Sequence, residues 1–380
     1  MNADSLILDA PLNPDLAVFR DSMRKYLATV PWRASARRSL DTGAPCWRPD
    51  GWRQACDATG MGALTIPAEL GGAGFTLAEA SVVSGELGYA LAGLPWFACV
   101  ALAAGALLEC AEAAPAKTLL TRIASGESTA TLAGLEQAFT RPMNLPTATL
   151  DGTTVLVDGL CRGVLDAPTA RSLLVFCRPD DWAPSAPLSL VLLEAGCAGI
   201  TVAPRKTLDA SRPLGDVSVS QARGQVVGML TGLQVEKIWE TASVLLAREL
   251  LGSAQFCIEM TIAYLKIRRQ FGQLIGEFQA LQHRCADVYM KLDGARAATA
   301  YAIQALLSDA EDRTQAVAAA KLQANEAARF AVEETIQLHG GIGYTWEHEA
   351  HLYFRRVKSS ALMLGDDDFL RGRIATALGV

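Results

Sequence analysis

Apolar residues recur at helical spacing through the first third of the chain. Leu16, Phe19, Met23 and Leu27 form one stripe and predict a helix over 15–27. Residues 51–59 predict a second, short helix with Trp52 and Ala55 inward. Residues 94–108 are apolar, Ala-rich and bounded by Pro95 and Glu109, a buried helix too short to span a bilayer. Gly71, Gly72 and Gly74 make a loop where a helix cannot persist, and Thr76 with Glu79 three residues later reads as a capping box. From about 136 to 225 the pattern changes. The runs TTVLVDG, SLLVFC, LSLVLLEA, GITVAP and DVSVS are short and β-branched, with Pro, Gly and Asp between them, predicting a small antiparallel β-domain. Long amphipathic stretches return over 239–268, 279–308 and 311–337, and three long helices with short connections predict a bundle. The expected fold is mostly α with a central β-domain: a helical domain over residues 1–135, a middle β-domain over 136–228 and a helical bundle over 229–380.

Composition narrows the function classes. The chain has 380 residues, long enough for several cores, and 51% of them are hydrophobic. A net charge of −6 argues against nucleic acid as an electrostatic partner. Nine Cys are scattered without a C-x-x-C pair or a nearby His, so a metal site is not expected. The odd Cys count and a start without a basic leader favour a reducing cytoplasm, and the Arg-rich usage hints at a bacterial source; no membrane span is expected.

Two stretches carry candidate chemistry. In 264–287, YLKIRRQFGQLIGEFQALQHRCAD, a helix is expected to run to a break at Gly272 and Gly276, with another resuming at Phe278. Arg268 and Phe271, three apart, would share a face of the first helix. A cation beside an aromatic ring and a glycine suits a phosphate-bearing aromatic ligand; a surface Arg paired with an acid is the plainer alternative. In QLHGGIGYTWEHEAHLYFRR, from Gln337, the glycines 340, 341 and 343 offer backbone N–H groups to an anion, although a glycine pair also commonly ends a helix. His339 and His348 read as packing or surface residues.

R-x-x-F-G, then I-G-x-F-Q-x-x-x-H-x-x-A-D, then Q-x-x-G-G-x-G-Y together resemble the acyl-CoA dehydrogenase family. GL-x-x-L-x-I-P-x-x-x-GG-x-G, LLTRIASGESTATLA and TLDASRPLGDVSVS extend the resemblance over nearly the whole chain. The resemblance implies an N-terminal helical domain, a middle antiparallel β-barrel-like domain and a C-terminal four-helix bundle. It implies FAD as cofactor, an acyl-CoA thioester as substrate, and an electron-transfer flavoprotein as electron acceptor. It also implies that Arg268, Phe271, Gln279, Gln337, Gly340 and Gly341 contact the adenine and diphosphate of a neighbouring subunit's FAD.

Two departures qualify it. Where the family carries T-E-P-x-A-G-S-D for its flavin ring, this chain has LEQAFTRPMNLP, within a middle domain that reads as shortened. The family's catalytic Glu falls on Leu364 by one alignment and Ala242 by the other; Asp366 is the acid left nearby. Removing an α-proton from a thioester requires a placed carboxylate, and Leu and Ala supply none. The pattern resembles the bacterial two-subunit branch, in which one chain completes the other's FAD site. The chain is therefore expected to belong to an oxidoreductase that desaturates an acyl-CoA, as a heterotetramer with a second dehydrogenase-like subunit. A self-sufficient homo-oligomer using an atypical acid, a non-catalytic acyl-CoA- or flavin-binding partner, and a monooxygenase of the same fold remain open alternatives.

Overall fold

The structure, a computed structural model, describes residues 14–151, 154–179, 182–183 and 186–380. The helices are α1 (Pro14–Ala28), α2 (Trp32–Thr42), α3 (Pro49–Thr59), α4 (Leu77–Ala90), α5 (Gly105–Leu108, continuing a π-helical stretch Phe97–Ala104), α6 (Ala114–Ala124) and α7 (Leu135–Thr140). After the strands come α8 (Gly232–Leu265), α9 (Gln279–Leu307), α10 (Arg313–His339), α11 (Ala350–Ser360) and α12 (Asp367–Ala377). The strands are β1 (Ala130–Ala133), β2 (Thr147–Asp151), β3 (Thr154–Leu165), β4 (Ser172–Cys177), β5 (Leu188–Glu194), β6 (Ile200–Arg205) and β7 (Leu214–Leu230), with a small hairpin β8 (Arg269–Gln270) and β9 (Gln273–Leu274) beyond α8.

The described chain divides into two compact units. One holds the residues up to Arg37, Leu77–Ala92 and Ser243–Val380; the other holds Arg38–Thr76 and Gly93–Ala242.

The second unit is organised on the sheet β1-β4-β5-β7-β3-β2, with β6 also on β7. The β-branched runs that predicted strands supply its core: Val155, Val157, Val175, Val191, Val217 and Val219 are all buried. All strand pairs are antiparallel except β1 with β4, which run parallel. This corrects the purely antiparallel expectation. β1 lies upstream of the expected start of the β-domain, at the end of LLTRIASGESTATLA, where four consecutive buried residues give no alternation to read. The apolar 94–108 stretch is buried as expected. Trp52 and Ala55 also point inward, and Trp96 Nε1 donates to the Met61 carbonyl at 2.9 Å.

The first unit is a helical assembly. α4 and α8 approach so closely that a Cβ on Gly88 or Gly252 would collide with the facing backbone. Ser84 Oγ donates to the Leu245 carbonyl at 2.6 Å, and Ser253 Oγ to that of Gly88 at 3.0 Å. Residues 232–267 are long and apolar enough, by length and composition, to cross a membrane. Here Leu245, Leu246, Ala247, Leu250 and Leu251 are instead buried in packing. Inside α10, fully buried Lys321 donates to Asn325 at 2.6 Å; Asn325 in turn donates to the Ala361 carbonyl and to Asp367, both at 3.1 Å. Burying these polar groups is tolerable because each has a partner.

Candidate functional site

Helix α8 ends at Leu265, earlier than expected, and the chain turns into the β8–β9 hairpin. Arg269 pairs with Leu274 and Gln270 with Gln273, which leaves Phe271 and Gly272 as a two-residue turn. Both have positive φ, 53° and 82°, as a type I′ turn demands. The expectation that Arg268 and Phe271 share a helix face is therefore wrong. Arg268 follows the last helical turn, its N–H bonded to the Tyr264 carbonyl at 2.9 Å, and Phe271 stands at the hairpin tip. KIRRQF is helix-compatible text; the hairpin wins because Gly272 accepts the left-handed conformation that a continued helix forbids.

Phe271 is 94% exposed, and its ring stands edge-on to that of Phe278, centroids 6.2 Å apart. Arg268 is exposed and has no ion-pair partner among the described residues. Gln279 opens α9 and is also exposed.

Helix α10 ends at His339, and Gly340–Tyr344 form a 3₁₀ turn. Gly340 has φ 64° and ψ −141°, a conformation essentially reserved for glycine. A Cβ on Gly341 would meet nothing within 4 Å, so open space lies over that backbone. Gly343 is buried, and a Cβ there would press on the Ile336 carbonyl at 2.6 Å; it seats the turn on α10. Gln337 is exposed on the last turn of α10.

Two contacts bring these segments together. The rings of Tyr264, at the end of α8, and His339, at the end of α10, stack at 4.6 Å and 23°. Arg284 of α9 grips both carboxylate oxygens of Glu334 of α10 at 2.8 Å. At about 1.5 Å of rise per residue, Gln279 lies one to two turns from that pair on α9, and Gln337 less than a turn from it on α10. All six sequence-predicted cofactor residues thus gather at one end of the bundle. Neither tying contact was singled out from the sequence, because both join residues tens of positions apart.

His339 is buried, its Nδ1 donating to the Thr335 carbonyl at 2.7 Å. Burial pushes its pKa below the ordinary value, against that hydrogen bond. His348, 4.5 Å from it ring to ring, is likewise lowered, first by burial and then by His339. Both suit the packing role expected of them. The large apolar side chains Ile267, Phe271, Ile342, Tyr344 and Trp346 are exposed on these same segments.

At the two positions onto which the sequence resemblance places a base, the chain is apolar and closed. Leu364 is 4% exposed with φ 60°, and Ala242 is fully buried in α8. Glu240, two residues from Ala242, is turned about 200° around the helix. Asp366 is the N-cap of α12, its carboxylate accepting the Phe369 N–H at 2.9 Å. Asp367 pairs with Arg329 and Asn325. Partial burial works against its charge, but these partners hold its carboxyl below the ordinary value. Asp368 pairs with Arg371 at 3.1 Å. The three aspartates cap and pin a helix.

In the second unit, LEQAFTRPMNLP begins as α7 after Gly134 (φ 90°), with Phe139 6.1 Å from buried Trp239. In the first unit, a cavity of about 350 Å³ is lined by Arg20, Arg24, Glu86, Tyr89, Arg248 and Arg296, and by no sequence-predicted site residue. Arg24 holds Glu86 through two bonds at 2.7 and 2.8 Å, and Arg20 holds Asp21 at 3.1 Å.

Comparison with known proteins matches residues 13–127 to the acyl-CoA dehydrogenase N-terminal domain and residues 236–379 to the acyl-CoA dehydrogenase C-terminal domain. The acyl-CoA dehydrogenase IpdE2 of Mycobacterium tuberculosis is 36% identical over 313 residues, covering 82% of this chain and 81% of that protein. Among solved structures, the ChsE4-ChsE5 complex from Mycobacterium tuberculosis is similar with TM-score 0.86 at 25% identity, covering 98% of this chain and 99% of the other. The Tcur3481-Tcur3483 steroid ACAD is similar with TM-score 0.83 at 26% identity, covering 96% and 98%.

Proposed function

This chain belongs to the acyl-CoA dehydrogenase family, and we propose that it is one half of a two-subunit enzyme, completing an FAD site whose flavin ring and catalytic base belong to a second, dehydrogenase-like chain. Members of this family are FAD-dependent flavoproteins. The observation that carries the proposal is the contrast inside one chain. The dinucleotide-facing residues gather at a solvent-exposed end, while the base positions hold Leu364 and Ala242. The likeness to the ChsE4-ChsE5 complex supports a heteromeric assembly.

The residues present fit the dinucleotide half of FAD. Arg268 offers a guanidinium without an ion-pair partner among the described residues, suited to a phosphate. Gly341 leaves room for close approach, and Gln279 and Gln337 add amide donors and acceptors at the same end. Phe271 supplies a ring face for the adenine, and the exposed apolar side chains on the same segments are covered when the second chain docks. When bound, FAD supplies the hydride acceptor for α,β-desaturation of an acyl-CoA thioester. This chain's own contribution is to bind and orient it and to exclude water; it holds no base. In this frame residues 136–228 are a middle domain without a flavin-ring run, and 229–380 carry the FAD contacts. Electrons leave to an electron-transfer flavoprotein. The mycobacterial relative and the free thiols fit a bacterial cytoplasm.

The test is expression of the chain alone and together with a dehydrogenase-like chain encoded beside it. Flavin absorbance is read after gel filtration and flavin bleaching is followed with acyl-CoA thioesters. Steroid-derived thioesters come first, because one of the similar structures is a steroid ACAD. Flavin and bleaching are expected only from the pair; stoichiometric FAD and turnover from this chain alone would refute the proposal.

A further inference from the structure

The 3₁₀ turn Gly340–Tyr344 is followed by Thr345–Glu349, a short stretch without regular structure before α11. Three successive carbonyls of this stretch face one side chain. Arg37, in α2, donates through Nη1 to the carbonyl of Trp346, and through Nη2 to those of Glu347 and His348 at 2.9 and 3.4 Å. One helical turn earlier, Arg33 pairs with Glu349 at 2.8 Å. The far side of the turn is already fixed, because Gly343 is pressed on α10 and His348 lies against His339.

We infer that Arg37 is a positioning residue for the cofactor: by tying down 346–348 it holds the Gly340–Gly341 backbone in the geometry that meets the diphosphate. The inference rests on the proposal that those glycines contact FAD. A glycine-rich turn loses much conformational freedom when it is ordered, so ordering it before the ligand arrives strengthens binding. His351 Nε2 also bonds the Trp346 carbonyl, at 3.0 Å, but among the described residues it is the Arg37 guanidinium that spans all three. Its planar fork presents donors at fixed angles to several carbonyls at once, whereas a lysine ammonium is a flexible point donor that cannot span all three. Arg33 pairs with the Glu349 carboxylate and lies over the Phe256 ring at 4.8 Å, so it serves as the control for simple anchoring of α2.

The experiment has two readouts. Hydrogen exchange of residues 341–348 is measured in the full-length chain alone, and FAD affinity in the assembled two-chain complex by flavin fluorescence on refilling the apo form. Arg37→Ala should speed exchange over 341–348 and weaken FAD by roughly tenfold, with a melting temperature close to wild type. Arg37→Lys should fall between the two, and Arg33→Ala should leave FAD affinity unchanged. If Arg37→Ala fails to assemble, Arg37→Lys is judged by the same two readouts. Unchanged exchange, or faster exchange with unchanged FAD affinity, overturns the inference. Arg268→Ala separates the two layers of the argument. If it loses FAD while the Arg37 variants do not, the positioning role alone falls; if none of them loses FAD, the site itself has been misread.

Discussion

The hairpin tip at Phe271–Gly272 and the turn at Leu364–Gly365 use the same backbone device for opposite ends. Each is a non-glycine residue with positive φ followed by a glycine with positive φ: 53° and 82° in one, 60° and 106° in the other. In the first, the strain presents Phe271 to solvent at 94% exposure; in the second, it tucks Leu364 to 4%. A left-handed non-glycine residue is uncommon and persists only where its surroundings hold it. One turn keeps a ring available for something outside the chain. The other buries an apolar side chain at the position where the resemblance expects a base. Under the proposed function, a single fold preserves its cofactor-gripping end while its chemical centre passes to a second chain.

The largest expected effect breaks that contrast from the closed side. Leu364→Glu puts a carboxylate into a buried, apolar turn, and the cost should be about 3 kcal/mol or more, read as a fall in melting temperature. An unchanged melting temperature would mean that the turn is open and that the closed-site description is wrong. On the open side, Arg268→Ala should change folding stability by less than about 0.5 kcal/mol while weakening FAD in the assembled complex by roughly ten- to a hundredfold. Equal FAD content in the variant complex would remove Arg268 from the site. The glycine pair sharpens the point. Gly340→Ala forces a glycine-only conformation and should cost about 1–3 kcal/mol of stability. Gly341→Ala enters open space, so it should spare stability and impair FAD binding instead. The smallest effect belongs to Asp366. Asp366→Ala should lose about 1 kcal/mol of helix capping, whereas Asp366→Asn, an equally good cap, should change neither stability nor turnover of the complex. Loss of turnover in Asp366→Asn would restore it as a base.

Much of the architecture was legible in the sequence, and the reasons are physical. β-branched runs bounded by Pro and Gly marked β3 to β7, and apolar periodicity marked α9 and α10, observed at Gln279–Leu307 and Arg313–His339 against expected 279–308 and 311–337. The end of α8 was not legible: Lys266, Ile267 and Arg268 suit a helix, and only the two-residue turn beyond them decides the matter. β1 was missed because a strand buried on both faces carries no alternation. At the site, the glycines and Arg268 stood out as text, but their assembly depends on the Tyr264–His339 stack and the Arg284–Glu334 pair, whose partners lie 75 and 50 positions apart. Arg37 gave no local signal, since its partners are carbonyls more than three hundred residues downstream. The aspartates 366–368 illustrate the converse: an acidic run suggestive of chemistry is consumed by capping and ion pairs.

The most direct test of the central claim is the flavin count of the purified assembly. Protein and flavin absorbance should give about one FAD for each pair of unlike chains, and none retained by this chain purified alone, because each cofactor is shared across one interface. One FAD per copy of this chain in a homomeric assembly that oxidises an acyl-CoA would contradict the account.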